Sequence, residues 1–246
     1  MRIQLEPAYV LHGRAYRETS LLLEVFSRGH GRAGLVARGA RSSRSKLRNL
    51  LQPFRPLLLS WNQRGELGTL TAAEQVASVP LPRGDGLFCG LYVNELMMRA
   101  LHRSDPHESL FESYSHLLAD LAGSRPAQPL LRIFERDLLE AMGFGMQLVA
   151  EHASGEAVAA GRHYRYVPGA GPVREKRSRD DLAGAGGAEL TNVHPDHGIR
   201  VSGDALLALQ SSRIDDEHLV ELKRLMRAVL RFHLGDRPLV SQTLFR

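Results

Sequence analysis

Three observations predict an α+β chain: short extended runs punctuated by Gly and Pro over the first 80 residues, helical periodicity after them, and a Gly- and Ala-rich stretch at about 147–203 where neither period holds. The first 80 residues contain five strand patterns with a helix-like insert between the third and the fourth. That string is the pattern of an OB-fold β-barrel, although SH3-like barrels give similar ones. The expected organisation is an OB-fold domain at 1–80 and an α-helical domain at 81–246 carrying a small, irregular, loop-rich insertion at about 147–203.

Residues 3–12 and 18–27 supply the first two strands, with Tyr9-Val10-Leu11 and Ser20–Phe26 as their apolar cores. Gly29, Gly31 and Gly34 reverse the chain into a third strand near Leu35–Arg38. These glycines spell G-x-G-x-x-G, but a dinucleotide site needs a helix directly afterwards, and LVARG follows instead, so a hairpin is the better reading. Ser42–Leu51 reads as a short helix capped by Ser42 or Ser43, with Leu47, Leu50 and Leu51 as its buried edge and Pro53 as its stop. Leu57–Trp61 and Leu67–Thr71 complete the strands, joined by a turn at Asn62–Gly65. Phe26 and Phe54 are expected to fill the barrel core.

Pro80, Pro82, Gly84 and Gly86 mark a boundary. Leu87–His102, Glu108–Leu121 and Leu130–Met142 then carry apolar residues at helical spacing and read as the core helices of one bundle, the third stopped by Gly143. Within the insertion only His163–Val167 reads as a strand, followed by the charged loop at 174–181. A last helix runs from Asp215 or Asp216 to about Leu234, ended by Gly235, with Leu219, Leu222, Leu225, Met226, Val229 and Phe232 as its apolar face.

Charge sharpens the picture. The formal net charge is +5, yet the chain holds twelve basic and five acidic residues through Pro80, against twenty and twenty-two beyond it. Val25–Gly65 contains nine basic residues and no Asp or Glu. A folded surface of one sign is the electrostatic footprint of a phosphate-backbone binder. Arg14, Arg17, Arg28, Arg32, Arg38, Arg41, Arg44, Lys46 and Arg48 are the candidate contacts. Single strands are also held by aromatic faces, and Tyr16, between Arg14 and Arg17 in a turn, is the candidate stacking partner. On the last helix Lys223, Arg224, Arg227 and Arg231 form either a second nucleic-acid surface or the solvated side of an amphipathic helix.

Other chemistries find little support. The single cysteine, Cys89, leaves no disulfide or Cys-based zinc site within the chain, and its apolar surroundings suit an inert small hydrophobe. Among eleven histidines the tightest cluster is His194-Pro195-Asp196-His197, which lacks helical i, i+4 spacing and a general-base Glu. Asp180-Asp181 and Asp215-Asp216 show no two-metal spacing, and the second pair complements a helix N-terminus. No nucleophile elbow, Walker lysine motif or deaminase signature is present. The reading is a non-enzymatic protein without cofactor or metal. The N-terminus has no signal-peptide pattern, and no apolar run reaches the roughly 20 residues of a membrane span, so a cytoplasmic protein without a membrane partner is expected.

The residues from Leu11 to Phe54, with Glu18-Thr19-Ser20, Ala37-Arg38-Gly39-Ala40-Arg41 and Leu51-Gln52-Pro53-Phe54, resemble the N-terminal barrel of the bacterial RecO recombination mediators. Leu91–Leu96, Leu131-Arg132-Ile133-Phe134-Glu135 with Leu138-Leu139, and the ending Leu234–Ser241 with Leu244-Phe245 are similar to that family's helical part and C-terminal signature. The resemblance implies an ATP-independent, nucleoid-associated binder of single- and double-stranded DNA that anneals complementary strands, including strands coated with single-stranded-DNA-binding protein (SSB). With RecR, and in some settings RecF, such proteins help to load RecA on coated DNA. Many members carry a four-cysteine zinc module near residues 150–180. Here Glu151, His152, Ser154 and Gly155 stand in that region with no cysteine, so a metal-free remnant is expected.

The resemblance also implies a receptor for the acidic SSB tail, which ends in a phenylalanine carboxylate. Such a tail needs an apolar slot beside a guanidinium. Arg132 stands at the matching position with Leu131, Phe134 and Leu138 near it, the alternative being a solvated charge on a helix. An OB-fold RNA-binding or ribosome-associated protein is the rival from another class.

Overall fold

A computed structural model of the chain describes residues 1–76, 79–175 and 198–241. They form two compact units, Met1–Phe134 with the segment from Pro238, and Glu135–Arg237.

The first unit is built on a closed barrel of five strands: β1 (Arg2–Tyr16), β2 (Ser20–Ser27), β3 (Gly31–Ala37), β4 (Leu57–Arg64) and β5 (Leu67–Gln75), in the order β1-β2-β3-β5-β4. This is the architecture an OB-fold predicts. The long β1 pairs with β4 through its first half and with β2 through its second. Register shifts between Ile3 and Glu6 and between Val10 and His12 bend it round the barrel, as bulges do. Parallel pairing of Gly34–Val36 with Leu67–Thr69 closes the cylinder. Gly68 sits at that seam because a Cβ there would lie 2.7 Å from both Leu35 and Trp61.

Alternation along the strands decides what fills the barrel. Val10, Leu23, Val25, Leu35, Leu57, Leu59 and Trp61 point inward, with Leu51 among them. The insert is shorter than expected: only Leu47–Leu50 is helical (α1), and Leu47 and Leu50 rest against the core. Phe26 and Phe54 do not fill the barrel. Phe26, one residue out of phase with Leu23 and Val25, faces outward with Tyr9, and both meet rings of the helices that follow. Phe54 lies against Gly90, where a Cβ would come within 2.8 Å of its ring.

Those helices are α2 (Asp85–Ala100), α3 (Glu108–Ala122) and α4 (Ala127–Ala141). α2 and α3 pack on the barrel wall and belong to its unit, while α4 starts in the first unit and ends in the second, so the three are not one separate bundle. Gly86 allows the close approach of α2 and α3, since a Cβ would meet the Leu121 carbonyl oxygen at 2.5 Å. Tyr9, Phe26, Phe111 and Tyr114 form an aromatic cluster with centroids 5.1–6.5 Å apart. Inside it, Asn94 Nδ2 donates to the Leu11 carbonyl at 2.8 Å, and the Tyr114 hydroxyl donates to Asn94 Oδ1 at 2.6 Å. Burial pushes the Tyr114 pKa far up, keeping its phenol a neutral donor. The segment from Pro238 is held on α2: Glu95 accepts from Val240 N, Ser241 N and Ser241 Oγ at 2.7–2.9 Å, and Arg99 donates to the Pro238 carbonyl. Burial pushes the Glu95 pKa up, but these hydrogen bonds and Arg99 outweigh it and hold the carboxyl below its usual range.

In the second unit the described part of the stretch at 147–203 holds more regular structure than the single strand expected there. His163–Val167 is a strand (β6), and it is joined by β7 (Gly171–Arg174) and β8 (Ile199–Ser202) in the order β7-β6-β8. Tyr164, Tyr166 and Val201 are buried. A helix missed in the sequence, α5 (Gly203–Gln210), is capped by Ser202, whose Oγ accepts from Ala205 N and donates to Glu221. A short 3-10 turn leads into α6 (Leu219–Leu234), ended by Gly235 at φ +81°. Leu222, Leu225, Met226, Val229 and Leu230 form the buried face; Phe232, assigned to it by spacing, is exposed. The His194–His197 cluster, Asp180-Asp181, most of the charged loop at 174–181, and Leu244-Phe245 lie outside the described residues.

Replacing Tyr114 by Phe leaves a buried amide oxygen without its donor. The expected cost is about 1–3 kcal/mol of unfolding free energy in a urea titration, against less for Tyr9→Phe, whose hydroxyl pairs with Ser115 in a partly buried place.

Candidate nucleic-acid interface

The basic residues sort by the end of the barrel on which they lie. Tyr16 pairs with Ser20, and Leu21 with Ala37, so the β1–β2 hairpin tip and the exit of β3 share one rim. The loop after β3 is fastened there. Arg41 N donates to the Thr19 carbonyl at 2.8 Å, and Arg41 Nη1 donates to the carbonyls of Arg17 and Glu18 at 3.3 and 3.2 Å. Ala40 is buried beneath the loop, and Gly39, at φ +67°, makes the turn possible. With its apolar residues held at Ala40 and at Leu47, the segment leaves Arg38, Arg41, Arg44, Lys46 and Arg48 exposed, beside Arg14 and Arg17 of the hairpin.

This rim is electropositive because carboxylates are scarce. Between Arg14 and Arg48 the only acids are Glu18 and Glu24, and Glu24 is paired with Arg103. Tyr16 is half-buried, and the Arg17 guanidinium lies 5.3 Å from its ring centroid, so one face is already taken by a cation.

Arg28 and Arg32 stand apart from this group. They flank the β2–β3 turn, about 24 Å away along β2 at roughly 3.4 Å per residue. Arg28 pairs with Glu108 and Glu112 of α3 at 2.6 and 2.9 Å. Arg32 is half-buried, with a pKa lowered by desolvation, and its Nη1 donates to the Met98 carbonyl of α2. Both side chains tie the barrel to its helices. The glycines of this turn complete a hairpin, since a strand and not a helix follows Gly31 and Gly34.

In the second unit, Lys223, Arg224, Arg227 and Arg231 are exposed along α6. Arg224 also donates to the Arg200 carbonyl at 2.6 Å, and Arg231 pairs with Asp236.

The residues expected to receive a peptide tail are buried. Leu131, Phe134 and Leu138 are core residues and Arg132 is only 5 % exposed, so in this conformation they present almost no surface to a ligand. Leu131, Phe134 and Leu138 share one stripe of α4, which the heavy apolar content of LLRIFERDLL already suggested, and Arg132 lies about 100° round the helix from Leu131. A cavity of about 640 Å³ lies nearby in the first unit, at the start of α2 and α4 and the end of α3. Phe88, Cys89 and Leu121 supply apolar wall, Arg83 and Arg125 supply guanidinium groups, and Asp85 is the acid among its lining. Sequence reading missed it because no local motif joins LPRGDG to GSRPAQ; only the packing of α2 on α3 brings them together.

At the place of the zinc module, Glu151 is buried and accepts from Ser154 Oγ at 3.0 Å and from Arg174 Nε at 3.1 Å, while Arg174 also reaches Glu156 at 2.8 Å. Among the described residues, no three His, Cys, Asp or Glu side chains are grouped to hold a metal ion. No helix among them is long and apolar enough to cross a membrane.

Comparison with known proteins covers both units. Residues 1–79 match the family model described as Recombination protein O N terminal, and residues 82–243 the one described as Recombination protein O C terminal. A protein named DNA repair protein RecO from Nitrosococcus oceani is 46% identical over 245 residues, covering 99% of this chain and 93% of the relative. Proteins of the same name from Methylococcus capsulatus and Azoarcus sp. are 45% and 41% identical, covering 100% and 98% of this chain and 94% of each relative.

Because Arg28 is engaged with α3, Arg28→Ala should leave the salt dependence of DNA binding unchanged. It should cost no more than about 1 kcal/mol of stability, since the pair is partly solvated. Fluorescence anisotropy across a salt series and urea unfolding measure the two.

Proposed function

The chain belongs to the recombination protein O family of DNA repair proteins, and from that premise we propose that it is a recombination mediator that binds single- and double-stranded DNA, anneals complementary strands and acts with RecR to load RecA on SSB-coated DNA. The observation that carries this reading is the rim of seven exposed cationic side chains, Arg14, Arg17, Arg38, Arg41, Arg44, Lys46 and Arg48, at one end of the barrel. Annealing needs no bond chemistry. Two phosphate chains repel, and a protein that supplies counter-charge and keeps both strands at high local concentration removes that barrier.

Access to coated strands requires a grip on SSB. The proposed receptor for its acidic tail is the cavity of Phe88, Leu121, Arg83 and Arg125, in place of the buried stripe of α4. It joins an apolar wall for a phenyl ring to guanidinium groups for a carboxylate. Arg125 is mostly exposed and paired with Asp120 at 2.6 Å, an exchange partner that a carboxylate terminus can replace.

Neutralising about five to eight phosphates on a single strand gives a slope of log K against log salt of roughly −4 to −6. Charge reversal of Arg38, Arg41, Arg44 and Lys46 should flatten that slope; an unchanged slope removes the rim from the interface. Annealing of strands coated with intact SSB should be fast and should fall sharply with SSB lacking its tail. Arg83→Glu with Arg125→Glu should reproduce that fall while sparing naked strands. Equal annealing in all these mixtures would reject the tail-docking reading.

A further inference from the structure

Three rings gather where α6 ends. Phe144, in the loop after α4, stacks on His233 with centroids 4.2 Å apart and planes 19° apart. Phe232 meets His233 edge-on at 4.9 Å. Phe144 is 44 % and Phe232 63 % exposed, while Leu230 is buried in the face of α6 to which spacing assigned Phe232. Exposed phenyl rings forgo the stabilisation that burial would give. The Phe232 ring lies near Gly169, where an added Cβ would come within 3.5 Å of it. Burial lowers the His233 pKa, so at neutral pH the imidazole is a flat neutral ring.

What flanks these rings tells what they face. On a helix of 100° per residue, Arg227, Arg231 and Arg224 lie within about 60° of one another, and Phe232 about 80° beyond Arg224. Arg227 is about 7.5 Å along the axis from Phe232 at 1.5 Å per residue but about 140° round the helix, so Arg224, about 12 Å along the axis and about 80° round, is the cation on the ring's side. Neither Lys223 nor Arg227 has an ion pair among the described residues. An apolar peptide would meet a row of cations here; a single-stranded nucleic acid meets flat rings for its bases and guanidinium groups for its phosphates.

We propose that the C-terminal end of α6 is a stacking platform for unpaired bases, with Phe232 and Phe144 receiving bases and Arg224 holding the adjoining backbone. The proposal rests on the reading that the chain binds single-stranded DNA, and adds to the barrel rim a site in the second unit that discriminates unpaired bases from a bare or duplex backbone.

The test compares binding of an oligodeoxythymidine with an abasic strand of equal length, by anisotropy, for the wild-type chain and for Phe144→Ala/Phe232→Ala. The wild type should prefer the base-bearing strand, and the double variant should lose at least about fivefold of that preference. Its duplex affinity and salt slope should stay unchanged, because no cation is removed, and Phe232→Trp alone should keep the preference. A preference that survives the double substitution, or is absent from the wild type, overturns the platform while leaving the rim intact. Failure of the wild type to bind either strand overturns both readings. Thermal unfolding of each variant separates lost binding from lost fold.

Discussion

The Asn94 side chain has one donor pair and one acceptor to spend, and it spends them on two different layers. Its amide nitrogen donates to a carbonyl of β1, and its oxygen accepts a hydrogen bond from a phenol on α3. The rings of Tyr9, Phe26, Phe111 and Tyr114 exclude water from the junction. In such surroundings an unmet amide is costly, so the network fixes which rung of α2 and α3 faces which strand. A purely greasy contact between the barrel and its helices could slide; this one has a register. The position of the cavity and of the Arg28 and Arg32 latches follows from that register.

Much of this was legible in the sequence, and the failures are instructive. The five barrel strands, β6, α2, α3, α4 and α6 follow from sequence pattern, and the positive rim follows from the absence of acids between Val25 and Gly65. Phe26 was misplaced because every residue of Leu21–Phe26 except Glu24 is apolar; a strand buried on both faces carries no alternation to read. Phe232 was misplaced because it falls at the margin of the apolar stripe, where the neighbouring Leu230 packs instead. β7, β8 and α5 are four, four and eight residues long, too short to show a period, and their stability comes from Tyr164, Tyr166 and the Ser202–Glu221 pair. Arg132 was expected at the surface in both of its readings, as a receptor for the SSB tail or as a solvated charge, because arginine is usually exposed; only packing shows it to be inside.

Arginine does two kinds of work on this barrel. At the β2–β3 end the guanidinium groups of Arg28 and Arg32 engage carboxylates of α3 and a carbonyl of α2, and their charge is spent on architecture. At the opposite end the one well-bonded member, Arg41, ties a loop to a hairpin through carbonyl oxygens, which accept hydrogen bonds without cancelling charge. Fastening by neutral acceptors therefore gives the rim order while preserving its field. Composition counts all these residues alike; geometry separates them.

The chain passes from the first unit to the second within α4 and comes back at Pro238, where Glu95 and Arg99 receive it. In the order of synthesis, the barrel and its first helices emerge early, yet their last partners are made only after the whole second unit has been translated. The first unit must therefore wait with Arg99 as the partner of the Glu95 carboxylate, and closes its clasp only once the intervening hundred or so residues have left the ribosome, at translation rates of about 5–20 residues per second a delay of roughly 5–20 s. Maturation of one half of the molecule is in this way timed by the length of the other.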